Sequence, residues 1–401
     1  MVPSVDLLKT LPAPDPAAAA HSAQVLDHIR TEIAATGGAI SFARFMHLAL
    51  YAPGLGYYCA GTRKFGSGGD FITAPELSPL FSRCLARQCQ DILQALGGGA
   101  IVELGAGTGI MAADLLQELQ TLNALPEQYA ILELSGELRE RQRQTLVERI
   151  PELVERVVWL DALPQPGFRG LVLGNEVLDA LPVERFRITA QGVRRLVVVA
   201  TETGLTCIEG EDDPSVTEAV ARIEADIGWR LPEGYTSEYV PHLAEWLAAL
   251  AEPLAAGALL LIDYGYPRRE YYHPERATGT LLCHYRHRAH EDPLLLPGLQ
   301  DITASVDFTA VADAALAAGL EVAGYARQSH FLFGCGLMEL LAEDEGISNP
   351  AHSTPYLEQA RQVKLLTLPG EMGDRFQAIA LTRNLEIPLR GFAFRDERSR
   401  L

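Results

Sequence analysis

The chain has 401 residues, 48% of them hydrophobic and 21% charged, the composition of a soluble globular protein large enough to bury a sizeable core. Lys and Arg number 33 against 52 Asp and Glu, a formal net charge of −19. Phosphate-backbone affinity rests on clustered Lys and Arg, so this balance argues against a nucleic-acid partner. A cationic substrate or basic protein partner fits it, as does acidity for solubility.

The six cysteines are scattered without a CxxC pair, as expected of reduced thiols in a cytosolic protein rather than of a disulfide framework or zinc site. Residues 1–24 lack the basic and apolar regions of a secretory signal and the Arg-rich character of a mitochondrial presequence. No run reaches the ~18 uncharged apolar residues that a membrane span requires. A cytoplasmic location without membrane attachment is expected, with both monomer and homodimer open.

In chain order, Val25, Ile29 and Ile33 form the apolar stripe of a helix predicted over 24–36, stopped by Gly37 and Gly38. Residues 39–81 hold short apolar pieces broken by Pro53, Gly54, Gly56, Gly61, Gly66, Gly68 and Gly69, which predicts a shaped loop rather than regular structure. A helix over 79–96 follows, ended by Gly97, Gly98 and Gly99. Then come a strand at 100–104, a glycine loop, a helix over 110–122, a strand at 129–134 and a charged helix over 135–149. Further strands are predicted at 157–160, 170–173, 259–264, 321–325 and 378–382. Strands alternating with helices imply parallel βαβ units with right-handed crossovers.

The stretch 182–238 has β character in Phe186–Ile188 and Leu196–Ala200, with a turn-like acidic patch at Glu209–Pro214. It reads as a small inserted subdomain. A second excursion over 267–307 is rich in His, Arg and Tyr. The expected organisation is an arm with helices and a Gly-rich lid segment over 1–98, an α/β domain over 99–385 and a tail over 386–401. The α/β domain is a doubly wound, mostly parallel sheet, Rossmann-like, carrying the insertion.

The glycine loop is Glu103-Leu-Gly105-Ala-Gly107-Thr-Gly109. Glycine lets the backbone adopt positive φ and approach a ligand closely, and a helix N-terminus follows. Dinucleotide sites use the same logic with G-x-G-x-x-G spacing. Here the spacing is G-x-G-x-G and Glu103 precedes it. That suits S-adenosylmethionine, whose ammonium and sulfonium favour a nearby carboxylate, better than NAD; a purely structural glycine turn is the third reading. Glu133, ending the second strand, is placed to accept from ribose hydroxyls in either cofactor class. Asp161, after the third strand, either meets an adenine amino group or caps a turn.

Asn175, Glu176 and Asp179 follow the fourth strand, at the carboxyl edge where doubly wound sheets bind ligands. They can hold a nitrogen nucleophile by accepting its N–H bonds and so aim its lone pair; capping the next helix is the alternative for Asn175 and Asp179. His284, His287 and His290 have helical ligand spacing, but Arg286 and Arg288 would repel a cation, so no metal is expected.

Phe45-Met with Leu50-Tyr-Ala-Pro and Gly56-Tyr-Tyr, Phe65-Gly-Ser-Gly-Gly-Asp70-Phe-Ile-Thr73-Ala-Pro-Glu76, the 103–109 loop, Asn175-Glu-Val-Leu-Asp179-Ala-Leu-Pro-Val183, Leu261-Ile-Asp263-Tyr-Gly265 and Asp301-Ile-Thr303-Ala-Ser-Val-Asp307 occur in one order. Together they resemble the MidA-like methyltransferases, over about residues 24–385. That family includes the mitochondrial complex I assembly-factor protein arginine methyltransferase and bacterial relatives. The resemblance implies a class I methyltransferase fold binding S-adenosyl-L-methionine at Gly105–Gly109. It also implies that segment 66–76, with Thr73 and Glu76, closes over the cofactor. By analogy it implies a protein substrate such as a respiratory-complex-like subunit, methylated on arginine. A guanidinium stays protonated and pairs bidentately with carboxylates. Glu176 is the first candidate to bind it and Asp70 the second, with Asp179 and Asp263 behind; an Asx turn and a strand-end cap are the alternatives for Asp70 and Asp263. Ala106 and Ala74 stand where relatives often carry Pro and Ser, and neither change removes a charge.

Overall fold

The computed structural model describes residues 11–60, 73–343 and 354–401. The chain divides into two compact units, one of residues 72–178, 243–266 and 308–401, the other of residues 1–71, 179–242 and 267–307.

The first unit carries the central sheet. Its strands are β1 (Ala100–Leu104), β2 (Tyr129–Leu132), β3 (Val157–Leu160), β4 (Phe168–Asn175), β5 (Leu254–Tyr266), β6 (Glu321–Arg327) and β7 (Phe376–Arg383). They lie in the order β6-β7-β5-β4-β1-β2-β3. Neighbours from β5 to β3 run parallel, and β7 runs antiparallel between β5 and β6. The strands nearest the centre read as unbroken apolar runs because both faces are covered: Ile101, Val102, Leu171, Val172, Leu173, Leu260, Leu261 and Ile262 are all buried. This is the mostly parallel α/β sheet that the alternation of strands and helices predicts.

Helix α1 (Pro79–Leu96) is capped by Ser78 and stopped by Gly97 in the left-handed conformation. It buries Leu80, Phe81, Cys84, Leu85, Cys89 and Ile92, a stripe at helical spacing that anchors it in the core with Met111, Leu115 and Leu119 of α2 (Ile110–Thr121). Burial of such side chains contributes about 25 cal/mol per Å² of apolar surface. Helix α3 (Gly136–Arg149), capped by Ser135, has a much narrower buried stripe of Leu138, Gln142 and Leu146.

The second unit is built on an antiparallel sheet in which Ile40–Ser41, Gly192–Ala200, Glu184–Thr189 and Thr236–Tyr239 pair in that order, with Leu205–Glu209 alongside Gly192–Ala200. The β character expected within 182–238 is present, but a helix over Pro214–Ile227 also lies there. The acidic turn before it supplies the N-cap, Asp213. The helix expected over 24–36 spans Pro16–Ala35 and so begins eight residues ahead of the expected start, because Asp15 caps it and Pro16 and an alanine run propagate it.

The loop reading of 39–81 needs a correction, since Phe42–Tyr51 is a helix. Ser41 caps it, and Phe42, Phe45, Met46 and Ala49 bury one face at helical spacing. The glycines that argued for a loop begin only after it. His284 and His290 stand on two paired strands, Leu282–Tyr285 and Arg288–His290, with Cys283 opposite His290 and Ala289 opposite His284. Paired residues share a face and neighbours alternate, so the two histidines project to opposite faces, and the helical spacing that suggested shared ligands does not apply. No described helix is long and apolar enough to cross a membrane.

Candidate active site

The carboxyl ends of β1, β2 and β4 converge on the glycine loop. Gly105, Gly107 and Gly109 have φ of +61°, +54° and +84°, values that side-chain-bearing residues rarely adopt. At Gly107 an added Cβ would meet nothing within 4 Å, so the loop presents open backbone there. At Gly109 it would lie 3.0 Å from Gln142 Cα, so α3 packs directly against the loop. Glu103, the penultimate residue of β1, is 1% exposed and accepts a 2.7 Å hydrogen bond from the Tyr129 hydroxyl. Burial pushes its carboxyl up to about 7. The buried Glu103 is thus held from β2, beneath the loop.

Glu133 follows β2 and is buried. Its carboxylate accepts from the Ser135 backbone N–H at 3.0 Å and from Gln142 Nε2 at 3.0 Å. The same Gln142 nitrogen donates to the Gly107 carbonyl at 3.1 Å, and Gln142 Oε1 accepts from Trp159 Nε1 at 2.8 Å. Next to Glu133, Leu134 is 71% exposed, a large apolar side chain in solvent at the mouth of the site. Asp161 is also exposed, and pairs with Arg139 at 2.7 Å; Arg139 further donates to the carbonyls of Glu133 and Leu160. Its guanidinium therefore ties the ends of β2 and β3 together.

Asn175 is the last residue of β4, and Glu176 adopts φ of +54°. A non-glycine residue in the left-handed region is uncommon and concentrates at functional sites. The bend is held by the Glu176 N–H, which donates to the Ile262 carbonyl at 2.9 Å. Asn175 Nδ2 donates to Glu176 Oε1 at 3.1 Å, while Asn175 Oδ1 is buried with no hydrogen-bond partner among the described residues. Both side chains are partly exposed. Asp263, in contrast, is fully buried; Oδ2 accepts from the Leu178 N–H at 2.8 Å and Oδ1 from the Tyr264 N–H at 2.9 Å. It secures the turn after β4, while its own strand runs on to Tyr266, so the strand does not end at Asp263 as the capping alternative required.

Glu76 lies in a short helix, Ala74–Leu77, that Thr73 precedes, and the Thr108 hydroxyl of the glycine loop donates to its carboxylate. Asp179 belongs to the other unit, where it is buried and its carbonyl accepts from the Ala304 N–H at 2.9 Å. Asp70 lies outside the described residues. Gln142, Trp159, Arg139 and Thr108 went unnoticed in the sequence, although a glutamine between Leu138 and Leu146 on an otherwise charged helix was a signal for the first.

Open glycine backbone, an exposed apolar side chain and a buried carboxylate at the end of β2 suit an adenosyl ligand carrying an amino-acid moiety. A family model for S-adenosyl-L-methionine-dependent methyltransferases matches residues 84–326. The chain is 30% identical over 398 residues to the mitochondrial protein arginine methyltransferase NDUFAF7 of Rattus norvegicus, spanning 92% of this chain and 86% of that protein. It is 29% identical over 386 residues to NDUFAF7 of Homo sapiens, spanning 89% and 83%. It is also similar to a crystal structure of a COG1565 superfamily member from Burkholderia thailandensis bound to S-adenosyl-homocysteine. There the TM-score is 0.91, with 43% identity over 98% of this chain and all of that one (100%).

Proposed function

The chain belongs to the family of S-adenosyl-L-methionine-dependent methyltransferases whose model it matches, and on that premise we propose that it methylates an arginine side chain of a protein substrate. The observation that carries this reading is the Asn175–Glu176 corner. A carboxylate on a left-handed residue and an amide oxygen with no hydrogen-bond partner among the described residues stand side by side at the carboxyl edge of β4. The NDUFAF7 relatives named as protein arginine methyltransferases support the choice of acceptor.

Bound S-adenosyl-L-methionine supplies an electrophilic methyl group on sulfonium. Gly105, Gly107 and Gly109 hold its amino-acid end, Glu133 accepts from the ribose hydroxyls and Leu134 covers the adenine. Glu103 contributes from beneath the loop, and Glu76 and Thr73 from the segment beside it; Asp161 lies at the adenine rim through Arg139. Glu176 accepts N–H bonds from the guanidinium and draws its positive charge away from the reacting nitrogen. Asn175 Oδ1 accepts a further N–H and keeps that nitrogen's lone pair aimed, which is catalysis by orientation, and the proton that the methylated nitrogen sheds passes to the Glu176 carboxylate. Asp70, by family resemblance, is a second carboxylate for the same cation.

Mass spectrometry of methyl-arginine across the proteome of a deletion strain tests the reading. Peptides that lose methylation on deletion, regain it with the wild-type gene and fail to regain it with Glu176→Gln are expected. An unchanged methyl-arginine inventory would remove the arginine assignment. A deletion phenotype rescued in full by Glu176→Gln would favour an assembly factor whose catalysis is dispensable.

A further inference from the structure

Helix α3 is charged around most of its circumference, and Leu138, Gln142 and Leu146 are its buried residues. They recur every fourth residue, so they form a single stripe facing the sheet. Packing alone would place a third apolar side chain at the centre of that stripe. An amide is there instead, with no exposure to solvent, and burying an amide is costly unless its hydrogen bonds are made.

They are made to three elements of the cofactor site. Trp159 on β3 offers a donor only, so its 2.8 Å contact fixes the amide oxygen toward the indole. The Nε2 group must then face the other way, where it donates to the Glu133 carboxylate at 3.0 Å and the Gly107 carbonyl at 3.1 Å. Gln142 Cα also fills the space a Gly109 side chain would need. One residue therefore sets the distance between the carboxylate after β2 and the backbone of the glycine loop.

We propose that Gln142 is the positioning residue of the cofactor site, holding Glu133 and the glycine loop in the one relation that binds both ends of S-adenosyl-L-methionine. This rests on the reading of Glu133 as the ribose acceptor. Gln142 is polar because its partners are a carboxylate and a carbonyl, both acceptors. A leucine would take away the donor to the Gly107 carbonyl, the acceptor for the indole and one of the bonds that the Glu133 carboxylate accepts. A glutamate would set a second carboxylate against the first, and such a pair holds on to one proton well above the ordinary carboxylate range.

The test is calorimetric titration of S-adenosyl-L-homocysteine into the full chain. Glu133→Ala is expected to weaken binding roughly tenfold or more, the scale of a lost hydrogen bond to a charged group. Gln142→Leu should weaken it by a similar factor, yet add less than about threefold on top of Glu133→Ala, because it acts through that carboxylate. Gln142→Glu should bind weakly at pH 8 and recover toward wild type at pH 5.5, where the shared proton restores a donor. A merely structural role would not produce that rescue. Wild-type affinity in Glu133→Ala would overturn the ribose reading and this proposal with it. Binding weakened in Glu133→Ala but within twofold of wild type in Gln142→Leu would overturn the role of Gln142 alone. Should Gln142→Leu fail to fold, a pH-independent affinity in Gln142→Glu would do the same.

Discussion

The Tyr129 hydroxyl and the Glu103 carboxylate meet at 2.7 Å between adjacent strands, both wholly inside the protein. Desolvation raises the Glu103 carboxyl from an ordinary 4.5 to about 7, and Tyr129, raised well above its own ordinary range, remains a donor. Between those two values the folded chain keeps a proton that the unfolded chain gives up. Stability is therefore full below the lower value and falls as pH rises through the higher one, by about 3 kcal/mol in all. Glu103→Gln, which keeps the acceptor for Tyr129 and cannot ionise, should lose this dependence. Urea unfolding at pH 5 and pH 8 checks it: the variant should exceed wild type at pH 8, and a parallel decline in both proteins would contradict the assignment.

Gly107 and Gly109 should fail differently when substituted. Gly107→Ala meets no neighbour, so its cost is the left-handed backbone, about 1 kcal/mol. Its effect should fall on S-adenosyl-L-homocysteine binding, which Gly107→Val should abolish. Gly109→Ala adds a clash with the α3 backbone to the same strain and should lower the melting temperature further. Equal melting temperatures for the two alanine variants would count against this packing.

Glu176 carries strain and function at once. Glu176→Gly should relieve the positive φ and stabilise the protein by about 1 kcal/mol, while removing the carboxylate on which methyl transfer depends. Glu176→Gln should leave stability and S-adenosyl-L-homocysteine affinity close to wild type and lose methyl transfer. Thermal melts with a methylation assay on the substrate found by mass spectrometry separate the effects. Undiminished turnover in Glu176→Gln would remove Glu176 from the chemistry.

Asp263 is expected to behave as a structural acid. Both its oxygens accept backbone N–H bonds, from Leu178 and Tyr264. Asp263→Ala removes the acceptor from both N–H groups, the one at Leu178 being buried, and should cost about 1–3 kcal/mol. Asp263→Asn keeps one acceptor and should cost less. Calorimetry on the folded fraction should find S-adenosyl-L-homocysteine affinity within threefold of wild type in Asp263→Asn, and a large loss there would give Asp263 a binding role.

The order of elements was readable in the chain because each depends on local signals. Apolar runs marked the strands, and Gly97 after Leu96 marked the end of α1. The helix over Phe42–Tyr51 was missed because the many glycines that follow outweighed its capping serine and its apolar stripe. The spacing of His284, His287 and His290 reads as helical only if the segment is a helix, and it is a hairpin.

By itself, the sequence determined the parallel sheet, the glycine loop and the candidate acids at or near the carboxyl ends of β1 to β5, since strand pattern, glycine spacing and position along a strand are all one-dimensional. Only the tertiary structure decided what those acids do. Glu103 and Asp263 lie inside and face hydrogen-bond donors of the fold; Asp161 faces solvent and Arg139; Glu176 stands on a strained corner beside an amide oxygen that has no partner among the described residues. Gln142 acquires its place only when α3 folds back onto the loop and brings Gly107, Glu133 and Trp159 around one amide. A carboxylate's charge state and an amide's partners are set by burial and by neighbours far away in the chain, and linear order carries neither.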